Sequence, residues 1–123
     1  MMVHRSGYVD CCNGNGKKAT FGNGYKPEDH HKLGAILTTG KNFANRIVPQ
    51  FEPLGSSGFY SIEGKNAFSP FLEFDLTLTD SSGYCFDKGT TYELWFCEDL
   101  KDVSEDNNGG TAYTDIYVCS GNN

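Results

Sequence analysis

The chain has 123 residues and a formal net charge of −6 with a sequence pI near 4.9. That is the length of one domain, and the overall acidity argues against nucleic acid as the partner, because binding phosphate backbones needs a basic face. No run of about 18 apolar residues exists, so a membrane-spanning helix is excluded, while 15 glycines and ten asparagines favour turns over long helices.

Met1–Ser6 carries no apolar signal-peptide core and reads as a mature start. Asn13-Gly14, Asn15-Gly16 and Asn23-Gly24 mark turns. Pro27–Lys32 predicts a single helical turn with proline near its first position. Ala35–Thr38 and Phe59–Ile62 are short strand candidates, and the proline- and glycine-bearing stretch 40–58 reads as loop. The clearest periodicity lies in Phe71–Leu78, where Leu72, Phe74, Leu76 and Leu78 alternate with Glu73, Asp75 and Thr77; this predicts a half-buried strand. Asp80–Gly83 reads as a turn, Tyr84–Phe86 as a short return strand and Asp87–Thr90 as a second turn. Tyr92–Cys97 predicts an aromatic-rich strand with Tyr92, Leu94 and Phe96 on one face and Glu93, Trp95 and Cys97 on the other. Thr111–Cys119 predicts a final strand with Ala112, Thr114, Ile116 and Val118 opposite Tyr113, Asp115, Tyr117 and Cys119. Together these predict a mainly β fold: one domain over residues 1–123, a small antiparallel sheet or sandwich with long loops and at most one or two short helices.

Five cysteines, Cys11, Cys12, Cys85, Cys97 and Cys119, stand in this small glycine-rich chain without any Cys-x-x-Cys spacing. The pattern argues against a zinc ribbon and for a secreted, extracellular domain stapled by disulfides. The count is odd and vicinal cysteines rarely bond each other. One thiol is therefore free or bridges a second chain, with Cys11 or Cys12 the candidate for linking a homodimer. Cys97 and Cys119 flank an acidic segment, so at least one bridge is expected to anchor it; the pairing itself stays open.

Charge is unevenly distributed. Residues 1–70 hold eight Lys and Arg against five Asp and Glu, a balance of +3, whereas residues 71–123 hold two against eleven, a balance of −9. The densest part runs Glu98-Asp99-Leu100-Lys101-Asp102-Val103-Ser104-Glu105-Asp106-Asn107-Asn108-Gly109-Gly110, with Asp115 on the strand beyond. Calcium takes six to eight oxygen ligands from carboxylates, amides and carbonyls on a pliant backbone, and this segment supplies them within a short span. Magnesium keeps its waters, and zinc or iron would want nitrogen or sulfur. A divalent cation also relieves the mutual repulsion of closely spaced carboxylates. An EF-hand register from Ser104 places Asp106, Asn108, Gly109 and Asp115 at the third, fifth, sixth and twelfth positions. It fails at the first residue, at the last and at the missing exit helix, so a calcium loop of another kind is expected.

The pattern Trp95-Phe96-x-Glu98-Asp99-Leu100-x-Asp102-x-x-Glu105-x-x-Asn108-x-Gly110, followed by Asp115-Ile116-Tyr117, resembles extracellular domains of cnidarians and other marine invertebrates. With its size, its cysteine content and its Gly/Asn-rich start, the chain is similar to the galactose-specific, calcium-dependent lectins of sea anemones. The resemblance implies a secreted, dimeric lectin that binds galactose-terminated glycans, with two vicinal sugar hydroxyls completing the shell of a bound Ca2+. It places Glu98, Asp99, Asp102, Glu105, Asn108 and Asp115 in the pool of metal ligands and Asn107 as a hydrogen-bond partner of the sugar. Trp95 and Tyr113, on the strands entering and leaving the loop, are the candidate rings for the apolar face of galactose. The Gln-Pro-Asp and Glu-Pro-Asn tripeptides of C-type lectins are absent; Phe51-Glu52-Pro53-Leu54 comes nearest.

Two other classes compete. One is a calcium-stabilised extracellular adhesion or matrix domain without sugar specificity. The other is an enzyme using Asp102 and Glu105 as a glycosidase pair, or a cysteine with His30 or His31. Short loops leave little room for a deep cleft and nothing positions such a nucleophile, so no catalytic residue is expected. A membrane-active toxin lacks its basic amphipathic stretch.

Overall fold

A computed structural model describes residues 1–10, 18–22, 27–40, 46–50, 52–75, 86–96, 99, 106 and 108–118. Its strands are β1 (Met2–Asp10), β2 (Ala35–Thr38), β3 (Arg46–Val48), β4 (Phe71–Leu72), β5 (Glu93–Phe96) and β6 (Gly109–Ile116), with a 3-10 turn at Pro27–Asp29. They form two three-stranded antiparallel sheets, ordered β4-β1-β6 and β3-β2-β5. This is the mainly β architecture that the alternating strands and short turns predict. No described helix is long and apolar enough to cross a membrane.

One core joins the two sheets. Met2 of β1 and Leu72 of β4 pack in the same cluster as Ile36 and Leu37 of β2 and Ile47 and Val48 of β3. The run Ala-Ile-Leu-Thr of β2 has no polar face because it is the central strand of its sheet, and all four residues are buried. Its one polar side chain, Thr38, donates from Oγ1 to Gly40 O (2.6 Å) and accepts from Trp95 Nε1 (2.9 Å), so burying the hydroxyl strands no hydrogen bond. Tyr60 anchors the chain between the sheets by donating its phenol to Ala35 O (2.9 Å). Burial, reinforced by the Glu52 carboxylate, holds that phenol above its ordinary range, so it remains a donor. The Thr20 hydroxyl, also buried, lies within bonding distance of Ala67 O (2.8 Å) and Ser69 O (2.7 Å).

Several local expectations shift. The opening residues, in which no strand is expected, form the nine-residue strand β1. A register shift between His4 and Ser6 makes Arg5 the extra residue and destroys the period-two pattern that would have revealed the strand. The stretch read as loop over 40–58 contains β3, which is three residues long and stops at Pro49, whose missing N–H cannot continue a ladder. Among the described residues of Phe71–Leu78, 71–75, only Phe71 and Leu72 pair. Beyond Leu72 an antiparallel partner would lie before Met2, where β1 begins. The predicted facing persists without pairing: Leu72 is buried, Glu73 is exposed and Phe74 packs against Tyr60 with ring centroids 6.2 Å apart. Phe59–Ile62 reduces to a single bridge between Tyr60 and Leu33. The turn at 87–90 is present and closes with Thr90 N donating to Asp87 O (3.3 Å). Phe86 is not in a strand. Leu76, Leu78, the 80–83 turn, Tyr84, the Asn-Gly turns at 13–16 and 23–24 and all five cysteines lie outside the described residues.

Candidate functional site

The chain leaves β5 in one sheet and re-enters as β6 in the other, so the acidic segment 97–108 is the crossover between the sheets. β5 is held there by pairing Ala35 with Phe96 and Ile36 with Trp95. β6 is held by a long ladder with β1 that starts at Asp10 opposite Gly109.

Asp99 is exposed as a residue, and its Oδ1 accepts a long 3.5 Å hydrogen bond from Asn108 Nδ2. The other side of the same amide is unusual: Asn108 Oδ1 is buried and has no hydrogen-bond partner among the described residues. A third oxygen source comes from β1. The Asp10 Oδ1 atom stands 3.1 Å from where a Cβ on Gly109 would lie, so the glycine that follows Asn108 leaves room for that carboxylate. Asp10 is far from the acidic segment in sequence, and only the β1–β6 register brings it there. Asp99 and the unpartnered Asn108 amide oxygen are hard-oxygen donors of the kind calcium takes, and the Asp10 carboxylate reaches the neighbouring residue, Gly109. Among the described residues, no group of three or more His, Cys, Asp or Glu gathers around one point. Glu98, Asp102, Glu105 and Asn107 lie outside the described residues.

Partial burial raises the Asp99 carboxyl above its ordinary 3.8, and the Asn108 hydrogen bond opposes the rise. The folded state therefore prefers the protonated or cation-neutralised form. That preference stabilises fully below the ordinary Asp value and fades as pH rises through the raised one. In chelator at neutral pH, Asp99→Asn is thus expected to melt slightly above the unsubstituted protein. The gap should close as pH falls to 3.8 and below, and it stays small because solvent screens this exposed group. Thermal melts across that range check the sign.

The structure does not bring the other candidates to this point. Asp115 pairs with Val3 near the opposite end of the β1–β6 ladder, and Arg5 Nη1 lies 3.5 Å from its Oδ2. Six residues of extended strand separate it from Gly109, about 20 Å, which is too far to share an ion with Asn108. Tyr113 lies opposite Ser6 and is 62% exposed, so its ring is open to a ligand. Trp95 instead packs against the core and donates its indole N–H to Thr38. It also lines a gap of about 110 Å3 between the sheets, with Phe21, Phe96 and Ala112; the gap is below the usual size of a ligand pocket. Trp95→Phe is expected to lower stability by roughly 1–2 kcal/mol, the worth of one hydrogen bond plus some packing, with glycan binding retained. A folded variant that loses binding would return the indole to the sugar platform.

No protein-family model and no curated protein sequence matches the chain. Among solved structures the chain is similar to AJLec from the sea anemone Anthopleura japonica, with a TM-score of 0.68 and 22% sequence identity over 92% of this chain and 74% of that one. At this identity the likeness is one of fold: two small antiparallel sheets, almost without helix, are shared with a sea anemone lectin.

Proposed function

We propose that the chain is a secreted, calcium-dependent lectin that recognises terminal galactose and works as a homodimer. The observation that carries the carbohydrate-binding part is the likeness of fold to AJLec along 92% of the chain. The calcium part rests on the donor set at the sheet crossover, where Asp99 and Asn108 are joined by Asp10 and by candidates from Glu98, Asp102 and Glu105. When bound there, calcium would accept two vicinal hydroxyls of the sugar into its shell. Asn107 would hydrogen-bond those hydroxyls, and Tyr113 is the exposed ring available to the apolar face of galactose. Asp115 is left to its pairing with Arg5, and Trp95 to packing. The odd cysteine count supports a covalent link between two copies through Cys11 or Cys12.

A glycan array probed with and without calcium tests this reading. Galactose-terminated features are expected to bind only in its presence. A well-folded protein that takes up calcium yet binds no glycan would instead be a calcium-stabilised adhesion or matrix domain.

A further inference from the structure

A second recess of about 350 Å3, open to solvent, lies between the 55–58 turn and the His31-Lys32 pair. Its volume falls in the ordinary range for a small-ligand site. The turn is closed by Gly58 N donating to Gly55 O (3.0 Å), with Gly58 at a positive φ of 83°, and by Gly55 N donating to Phe59 O (2.8 Å). Phe59 is half-buried, so one part of its ring packs while the rest forms wall. The packed part meets Phe96 edge-on, with centroids 6.4 Å apart. Phe96 ends β5 only three residues before Asp99, a reach of at most about 11 Å of chain. One aromatic contact therefore puts the recess within reach of Asp99.

We infer that this groove, built on Phe59, Ser56, Ser57 and Ser61, holds an inner, uncharged sugar ring of the glycan whose terminal residue occupies the acidic crossover. The inference rests on the carbohydrate-binding reading above and adds to it a site and a ligand length. The chemistry of the walls selects the ligand class. Ser56 and Ser61 are exposed and Ser57 is half-buried, so the three hydroxyls line the recess as donors and acceptors open to a ligand. Lys32 offers an anion little, because its Nζ already lies 2.7 Å from Asp29 Oδ1. Glu52 adds negative charge close to Tyr60 at the base of the groove. The walls then present an aromatic edge beside a fan of hydroxyls. That combination suits a pyranose ring, whose C–H face packs on an aromatic while its hydroxyls exchange hydrogen bonds with serines.

The test compares methyl β-galactoside with a galactose-terminated tetrasaccharide by calorimetric titration in calcium, using the full chain. The unsubstituted protein is expected to bind the tetrasaccharide about tenfold more tightly, the worth of one aromatic packing contact. In Phe59→Ala that ratio should fall to near one. Because Phe59 also touches Phe96, Ser56→Trp supplies the decisive variant: it fills the groove from an exposed turn, leaves the Phe59–Phe96 contact in place and should also bring the ratio to near one. A ratio unchanged in Ser56→Trp, or a ratio of one in the unsubstituted protein, overturns the inference while leaving a galactose-binding protein. Absence of binding to either sugar overturns the lectin reading and this inference together, and the two failures are thus told apart.

Discussion

Stripping divalent cations with a chelator is expected to lower the melting temperature by about 10 °C, and restoring calcium should reverse the loss. A ligand held only by the native state at a hundred times its Kd stabilises by about 2.7 kcal/mol. In a domain of this size each kcal/mol is worth about 4 °C. The size of the shift reports whether the donors at the crossover act as one site. Asp10→Asn and Asp99→Asn should each weaken calcium about tenfold or more, since each removes a unit charge close to a divalent ion. Asp10 is the sharper probe: only the pairing of Asp10 with Gly109 connects it to the acidic segment. Asp115→Asn should leave the calcium shift intact, because Asp115 lies at the far end of β6 against Arg5. Melts that superpose with and without chelator would remove calcium from the account.

The second large effect concerns the ladder that carries the site. Gly7→Ala is expected to cost about 3 kcal/mol or more, enough to unfold a domain of marginal stability. Gly7 has a φ of 71° and pairs with Ala112. At positive φ the Cβ direction swings toward the partner strand, and a methyl group there would collide with the Thr111 carbonyl oxygen. Gly110 is the reciprocal case from β6: its φ is 86°, and an added Cβ would collide with the Tyr8 carbonyl oxygen. Both contacts are with backbone, so no rotamer change relieves them. Gly40→Ala serves as the comparison. It too has a positive φ, 95°, but an added Cβ meets nothing within 4 Å, so only the intrinsic conformational cost of about 1 kcal/mol remains. Chemical denaturation of Gly7→Ala, Gly110→Ala and Gly40→Ala reads the difference. Equal losses would mean that the close approach of β1 and β6 is not what Gly7 and Gly110 serve.

The fold class is legible because strand-forming runs such as Ala35–Thr38 and Tyr92–Cys97 are bounded by glycine-bearing turns, and both stretches hold strands in the structure. β1 is hidden for a physical reason: the bulge at Arg5 shifts the face of every residue after it, so Met2 and Val9 fall out of phase. Phe71–Leu78 shows the opposite case. Alternation reports which way side chains face, and Phe74 does pack inward, but it cannot report whether a partner strand is present. Within the candidate site, Asp99 and Asn108 are readable from local composition because they share one segment. Asp10 is not, since its place depends on a long-range register. Trp95 illustrates a further limit. Its position beside the acidic run suggests a sugar platform, but pairing with Ile36 sets the indole N–H against Thr38. Such partners become visible only when the sheet is assembled.

Isothermal titration of methyl β-galactoside into the calcium-loaded protein tests the central claim most directly. One saturable site per chain is expected, lost on adding chelator and recovered when calcium is returned. Flat heats at millimolar galactoside, from a protein shown by its melting curve to be folded and calcium-bound, would contradict it.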